Sequence, residues 1–355
     1  MTSKYEEEMK AKGYLPFHLD HIPSKIIQKA KEELNETNDT RAAALEKIRE
    51  YIKEDKNLKC PMEDEYLLQF LRARKFDAKR AFSLLQNKYQ VKKSHPELYD
   101  SINLDDLRKV YSSGAGYCFP FRDPDGCVVL VLALAKWNPG ESNICNALTA
   151  LTGFILSIVD DPATQISGVR ILVDVRGFSL RQMSTLTPRY VLLISKALRN
   201  CLPVRFKSIH IYNESIVFQY IWSVLKLVLT DKIRNRVHFH GNNQKHLHKF
   251  IPKDLLSAEY GGEMPNFNAD RHSIHLQWVP SHVGLPGNEA ADDLAKASTS
   301  DPVDPEDHMV LTSTESYSRA KELICRTWVI PHVHPWYTCF IGLGQVCFLA
   351  MATIQ

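Results

Sequence analysis

The stretch PVRFKSIHIYNESIVFQYIWSVLKLVLTDKIRNRVHFHGNN, residues 203–243, constrains the fold more than any other part of the chain. FKSIHIY alternates apolar and polar positions with the period of a strand, so Arg205 and Lys207, two apart at its start, point the same way. From Ile216 to Leu229 nearly every position is apolar. Gln219, Ser223 and Lys226 form a narrow polar stripe at helical spacing. Lys232 and Arg236 follow at i and i+4, which predicts one helical face, with Arg234 on another side. Across 203–249, eight Lys or Arg stand against Glu214 and Asp231, a local excess of +6 in a chain whose net charge is +3. A helix apolar on almost every side is the usual pattern of a buried core helix. Bracketed by cation pairs, it also suits a surface that is oily inside and anionic outside, such as a membrane with acidic headgroups. The pattern by itself leaves both readings open.

The 355 residues allow two or three domains and a substantial core. Apolar content of 44% and charged content of 24% are those of an ordinary globular chain, and a net charge of +3 does not argue for nucleic acid. Eight cysteines lie scattered without CxxC spacing, and MTSKYEEEMK has no secretory signature; both point to a reducing cytosol. SKIIQKAKEEL and TRAAALEKIREYI read as helices behind the possible N-caps Ser24 and Thr40. Residues 62–99 read as two helices joined at KFDAK, a packing module without assigned chemistry. CVVLVLALA (127–135), VRILVDV (169–175) and SIHIY (208–212) read as buried strands. They alternate with helices near 146–158 and 186–200, which argues for a partly parallel sheet covered by helices.

Three strings carry a resemblance: LLQFLRARKFDAKRA, DKIRNRVHFHGNN and LHKFIPKDLLSAEYGGE. They resemble the CRAL-TRIO (Sec14-like) lipid-binding family over roughly 61–265, most closely its tocopherol-transfer and clavesin-like branch. The resemblance implies an α/β fold: an N-terminal helical module, then a helix-covered, partly parallel sheet enclosing a lipid cavity. The domains expected are 1–100 (helical), 101–265 (lipid-binding), 266–300 (linker and a further fragment) and 301–355 (an apolar tail without settled structure). Carried over by position, Arg205, Lys207, Lys232 and Arg236 fall on the basic positions that hold a phosphoinositide headgroup in that branch. The cavity lining implied is Leu148, Leu151, Ile155, Val169, Val173, Ile194, Leu198 and Ile209, with Phe218 and Ile221 from a lid. Leu151 and Ile155 stand where tocopherol-binding members have pocket serines, so a drier pocket is expected. That leaves tocopherol-, retinoid- or isoprenoid-like cargo, or plain acyl lipid, open. The implied function is a cytoplasmic lipid-transfer protein without cofactor, exchanging cargo at endosomal or other phosphoinositide-rich membranes. A phosphoinositide-binding adaptor that moves no cargo is the alternative.

SIHLQWVPSHVGLPGNEAADDLAKAST (273–299) resembles instead the end of a retrotransposon ribonuclease H domain, with His282 at its loop histidine and Asp292 at its last metal-binding aspartate. That chemistry clamps two metals with several carboxylates, and the three others expected upstream are replaced by lipid-binding sequence. Neither nuclease activity nor nucleic-acid binding is expected. No GxSxG elbow, phosphate loop with Lys or HExxH is found. His238, His240, His246 and His248 are candidate metal ligands but have no cysteine partners, so strand and turn packing is the favoured reading. Asp174, at a strand end, is expected to satisfy local backbone or a basic neighbour. The closing WYTCFIGLGQVCFLAMATIQ carries no charge and is long enough for a membrane span. Its glycines, Gln345 and threonines weaken that reading, and unsettled structure is preferred.

Overall fold

A computed structural model of the chain describes residues 3–19, 21–98, 104–266, 273–280, 338–343 and 346–353. Five helices come first: α1 (Ser3–Ala11), α2 (Ser24–Leu34), α3 (Asn38–Glu54), α4 (Asp64–Ala73) and α5 (Ala78–Ser94). The cap of α3 is Thr37 rather than Thr40. Thr37 Oγ1 accepts from the Thr40 amide at 3.2 Å, and Thr40 Oγ1 accepts from the Thr37 amide at 2.8 Å. Thr40 is thus the third residue of a reciprocal capping pair. Ser24 is likewise the first helical residue of α2, after Pro23, not its cap. α3, α4 and α5 bury Ile48, Leu67, Phe70, Leu71, Leu84 and Leu85 against one another, a small core of their own.

The second unit alternates strands and helices: α6 (Leu104–Ser112), β1 (Gly116–Cys118), β2 (Val128–Ala133), α7 (Ile144–Val159), α8 (Pro162–Ser167), β3 (Val169–Asp174), α9 (Leu180–Thr185) and α10 (Pro188–Lys196). Then come β4 (Phe206–Tyr212), α11 (Ile216–Val228), α12 (Asp231–Arg234), β5 (Val237–Phe239) and α13 (Gln244–Leu247). The strands lie in the order β1-β2-β3-β4-β5, with β1 antiparallel to β2 and the other neighbours parallel. The helical crossovers supply what parallel pairing requires.

Strand alternation splits the core in two. Val128, Leu130, Val169, Ile171, Val173, Ile209 and Ile211 face Phe154, Ile155 and Ile158 of α7 and Phe218 and Ile221 of α11. The intervening Val129, Val131 and Leu172 face the other way, onto Met9 of α1 and Leu247, Ile251, Leu255 and Tyr260 behind the sheet. Covered on both faces, β2 is apolar throughout, as strands of parallel sheets often are, whereas β3 and β4 also carry Arg170, Ser208 and His210.

Residues 273–280 (β6), 338–343 (β7) and 346–353 (β8) form a separate antiparallel sheet in the order β6-β8-β7. The final apolar run is therefore not without regular structure. Its content of Val, Ile, Phe and Thr favours the extended backbone it adopts. His282 and Asp292 lie outside the described residues. Among the described residues no helix is long and apolar enough to cross a membrane.

Candidate functional site

The end of β4 that carries Arg205 is fixed by a glycine. Gly168 has φ +94°, and a Cβ there would stand 2.5 Å from the Arg205 carbonyl oxygen. That conformation and that gap both exclude a side chain. The Val169 amide donates to the same carbonyl at 2.9 Å, which brings Arg205 beside α8. The Arg205 guanidinium donates to the Ile166 carbonyl and, at 2.5 Å, to Glu33 of α2. Lys207 donates to the same Glu33 oxygen at 2.8 Å.

The turn after α11 delivers the other two expected cations, by a different geometry from the one the spacing predicts. α12 is a single turn, so Arg236 is not on a shared helical face with Lys232 but lies past the helix end. The helix stops because residues 237–239 pair with β4, and the Arg236 guanidinium donates to the Phe206 carbonyl. Both residues nevertheless line one depression with Arg205 and Lys207, of about 700 Å³.

Its far wall is built by residues that sequence reasoning passed over. Arg74 and Lys75 of the α4–α5 turn line it, as do Arg80 in the first turn of α5 and Arg199 after α10. Reading the N-terminal module as packing alone is therefore incomplete. The basic run RARKFDAKR was the available signal. Lys75 and Phe76 both have positive φ, 55° and 60°, an uncommon backbone for residues with side chains, and this turn aims the cations inward. Buried Arg72 fastens the turn, donating to Glu36 and, at 2.7 Å, to Gln165 of α8.

Crowded like charges show in the titration of these groups. Lys232 is held below the ordinary lysine value by partial burial and then by Arg236, Arg80, Arg74 and Lys75. Arg236 is lowered by burial and by Arg205, and Arg74 by burial and by Arg80. Lys207 is lowered by burial, which outweighs its bond to Glu33. Burial would raise Glu33, yet the hydrogen bonds from Lys207 and Arg205 pull it down to about 2. An anion entering the depression relieves repulsion that the fold already imposes.

A second, apolar cavity of about 100 Å³ lies between α5, α7 and α10. Leu148, Leu151, Ile155, Ile194 and Leu198 line it, five of the ten residues expected. The other five, Val169, Val173, Ile209, Phe218 and Ile221, do not. They belong to the buried apolar cluster between sheet, α7 and α11. The two cavities share a wall. Residues Ala197–Cys201 form a wide π-helical turn; Leu198 borders both spaces, Cys201 the apolar one and Arg199 the basic one. Such turns interrupt α-helices mostly at functional positions. Arg74 donates to the Arg199 carbonyl at 3.0 Å, joining the basic wall to that turn.

α11 shows two apolar faces. Phe218 and Ile221 are buried, whereas Ile216 is 84% exposed, Leu227 76% and Tyr220 66%. The histidines at 210, 238, 240 and 246 cluster at the β4–β5 edge. His210 Nδ1 shares a hydrogen bond with His240 Nε2 at 2.9 Å, and His240 Nδ1 with His246 Nδ1 at 2.9 Å. Their nitrogens bond one another, and among the described residues no group of His, Cys, Asp and Glu is arranged to hold a metal. Asp174 accepts from the Arg176 amide at 2.9 Å and from Asn213 at 3.0 Å, a local structural role.

Fold and site together define a helix-covered, mostly parallel α/β domain with a basic depression against an apolar cavity. The CRAL/TRIO domain model matches residues 112–262, and the Pinta-like UBA domain model matches residues 37–107. Alpha-tocopherol transfer protein-like of Homo sapiens is 32% identical over 263 residues, 74% of this chain and 77% of that protein. Clavesin-1 of Xenopus laevis is 30% identical over 245 residues, 68% of this chain and 74% of its own. The crystal structure of Sfh5 aligns with 79% of this chain and 100% of its own, at 12% identity and a TM-score of 0.44. The chain belongs to the CRAL-TRIO family.

Proposed function

We propose that this protein is a lipid carrier that docks on phosphoinositide-bearing membranes and exchanges an apolar cargo there. No catalytic step is assigned to it. The observation that carries the reading is the convergence of Arg205, Lys207, Lys232 and Arg236, from two separate segments, on one depression of about 700 Å³. α11 runs directly into the segment that carries Lys232 and Arg236, and its outward Ile216, Tyr220 and Leu227 would enter the acyl boundary as the cations meet headgroups. Cations near an anionic surface contribute about 1 kcal/mol each. An enclosed lipid avoids roughly 0.8 kcal/mol per CH₂ of exposure to water. Small-molecule pockets usually measure about 300–1,000 Å³, so the apolar cavity of about 100 Å³ is a closed form that cargo must widen. α11 does not border that cavity but packs Phe218 and Ile221 into the cluster that shares Ile155 with it, and is the cover that would move away from the sheet.

Reversing charge at Lys232 and Arg236 together abolishes binding to phosphatidylinositol bisphosphate vesicles and leaves uptake of apolar lipid intact. Vesicle binding that survives the double reversal would overturn the docking assignment. The small volume of the apolar cavity, about 100 Å³, favours one second reading, an adaptor that binds the headgroup and carries no cargo. A stoichiometric lipid co-purifying with the chain excludes it.

A further inference from the structure

We propose that Glu33 is a built-in competing anion that sets the selectivity of the basic depression, so that only a headgroup with several phosphates displaces it. The inference rests on the docking reading above and adds a residue to it from α2, outside both matched domains. Glu33 lines the depression, and one of its oxygens accepts from both Arg205 (2.5 Å) and Lys207 (2.8 Å). Among the described residues lining that space it is the sole carboxylate. It thus occupies the position between two cations that a phosphate oxygen would take.

Its helix is anchored rather than loose. Ile26, Ala30 and Leu34 bury against Ala163 and Ile166 of α8, so the carboxylate is delivered to a fixed place. Lys29, one turn earlier, stands 3.6 Å from its other oxygen. Opposite, Lys75, Arg80, Arg199 and Lys232 have no carboxylate partner among the described residues. The depression is therefore partly satisfied, with one wall partly neutralised from within and the other open.

The consequence is a threshold. A headgroup with a single negative charge offers Arg205 and Lys207 no more than Glu33 already gives them. Each monoester phosphate brings a charge of about −1.5 to −2 and three acceptor oxygens. A bisphosphorylated inositol can engage the open wall with one phosphate while another replaces Glu33. Because Glu33 is held near pKa 2, it stays ionised at physiological pH, and the competition is set by ligand charge and not by proton uptake.

The test compares wild type, Glu33→Gln and Glu33→Asp on phosphatidylcholine vesicles containing phosphatidylserine or phosphatidylinositol bisphosphate, matched in total charge. Free inositol polyphosphate serves as competitor, to separate headgroup capture from diffuse surface attraction. Wild type prefers bisphosphate vesicles and is displaced by the competitor. Glu33→Gln gains roughly five- to tenfold in affinity for serine vesicles and loses most of the preference, the effect of removing about one opposing charge. Glu33→Asp keeps the charge and the preference. A Gln variant with undiminished preference overturns the proposal, as does an Asp variant that loses it equally. Wild-type protein that binds neither vesicle above plain phosphatidylcholine would sink the docking reading itself, a distinguishable result.

Discussion

The histidines at the edge of the sheet make the clearest residue-scale prediction. His210 is fully buried, and its pKa is pushed down to about 3, first by burial and then by His240, His238, Arg170 and His246. His240 is lowered to about 4, by burial and then by His246 and His238. Both folded-state values lie below the unfolded value near 6.5, so between roughly 4 and 6.5 the unfolded chain binds more protons. Stability is fully present above pH 6.5 and falls as pH drops through that window, by about 1.4 kcal/mol per unit for each histidine. Urea unfolding at pH 7.5 and pH 5 measures it. His240→Gln should roughly halve the slope, and a flat profile in the wild type would contradict the account. Three of these, His238, His240 and His246, were with His248 the candidate metal ligands of the sequence, where packing was the favoured reading. In the structure the ring nitrogens of His210, His240 and His246 are turned on one another.

At the scale of elements, α11 was the most legible feature and also the most ambiguous. Its apolar run announces a helix, but period alone cannot say which apolar face is inside. The structure divides it, with Phe218 and Ile221 against the sheet and Ile216, Tyr220 and Leu227 outward. Replacing Ile216 and Leu227 by Asp should therefore weaken vesicle binding at least tenfold. It should leave folding stability within about 0.5 kcal/mol, as exposed substitutions do. Sedimentation with vesicles and a thermal melt check the two halves; unchanged vesicle binding would contradict the membrane-facing role. The alternation of buried strands and helices was readable because parallel strands must be apolar on both faces. The helix end before Arg236 was not, since it is set by pairing of Val237–Phe239 with β4, a contact far away in sequence. The far basic wall was hidden for the same reason. Arg74, Lys75 and Arg80 lie more than a hundred residues before Arg205, and only the docking of α4 through Arg72 on Gln165 brings them together.

For the whole molecule, the arrangement couples two unlike spaces. The basic depression and the apolar cavity are separated by the π-helical turn 197–201, and Arg74 grips that turn from the basic side. In the proposed carrier, a phosphate that drew Arg74 or Arg199 toward itself would pull on the wall of the apolar cavity and so link arrival at a membrane to opening. The ten residues expected around the cargo came from the family resemblance by position and not from the periodicity of the chain. Which of them border the apolar cavity and which lie in the cluster between sheet, α7 and α11 was not legible, because it depends on how helices and strands pack. The central claim is that this closed core opens to hold a lipid. Native mass spectrometry of the protein, isolated without detergent and then mixed with phosphatidylinositol bisphosphate vesicles, tests it most directly. The account predicts one apolar lipid bound per chain, exchanged on contact with those vesicles and not with plain phosphatidylcholine; a chain that emerges bare and takes up nothing from either would contradict it.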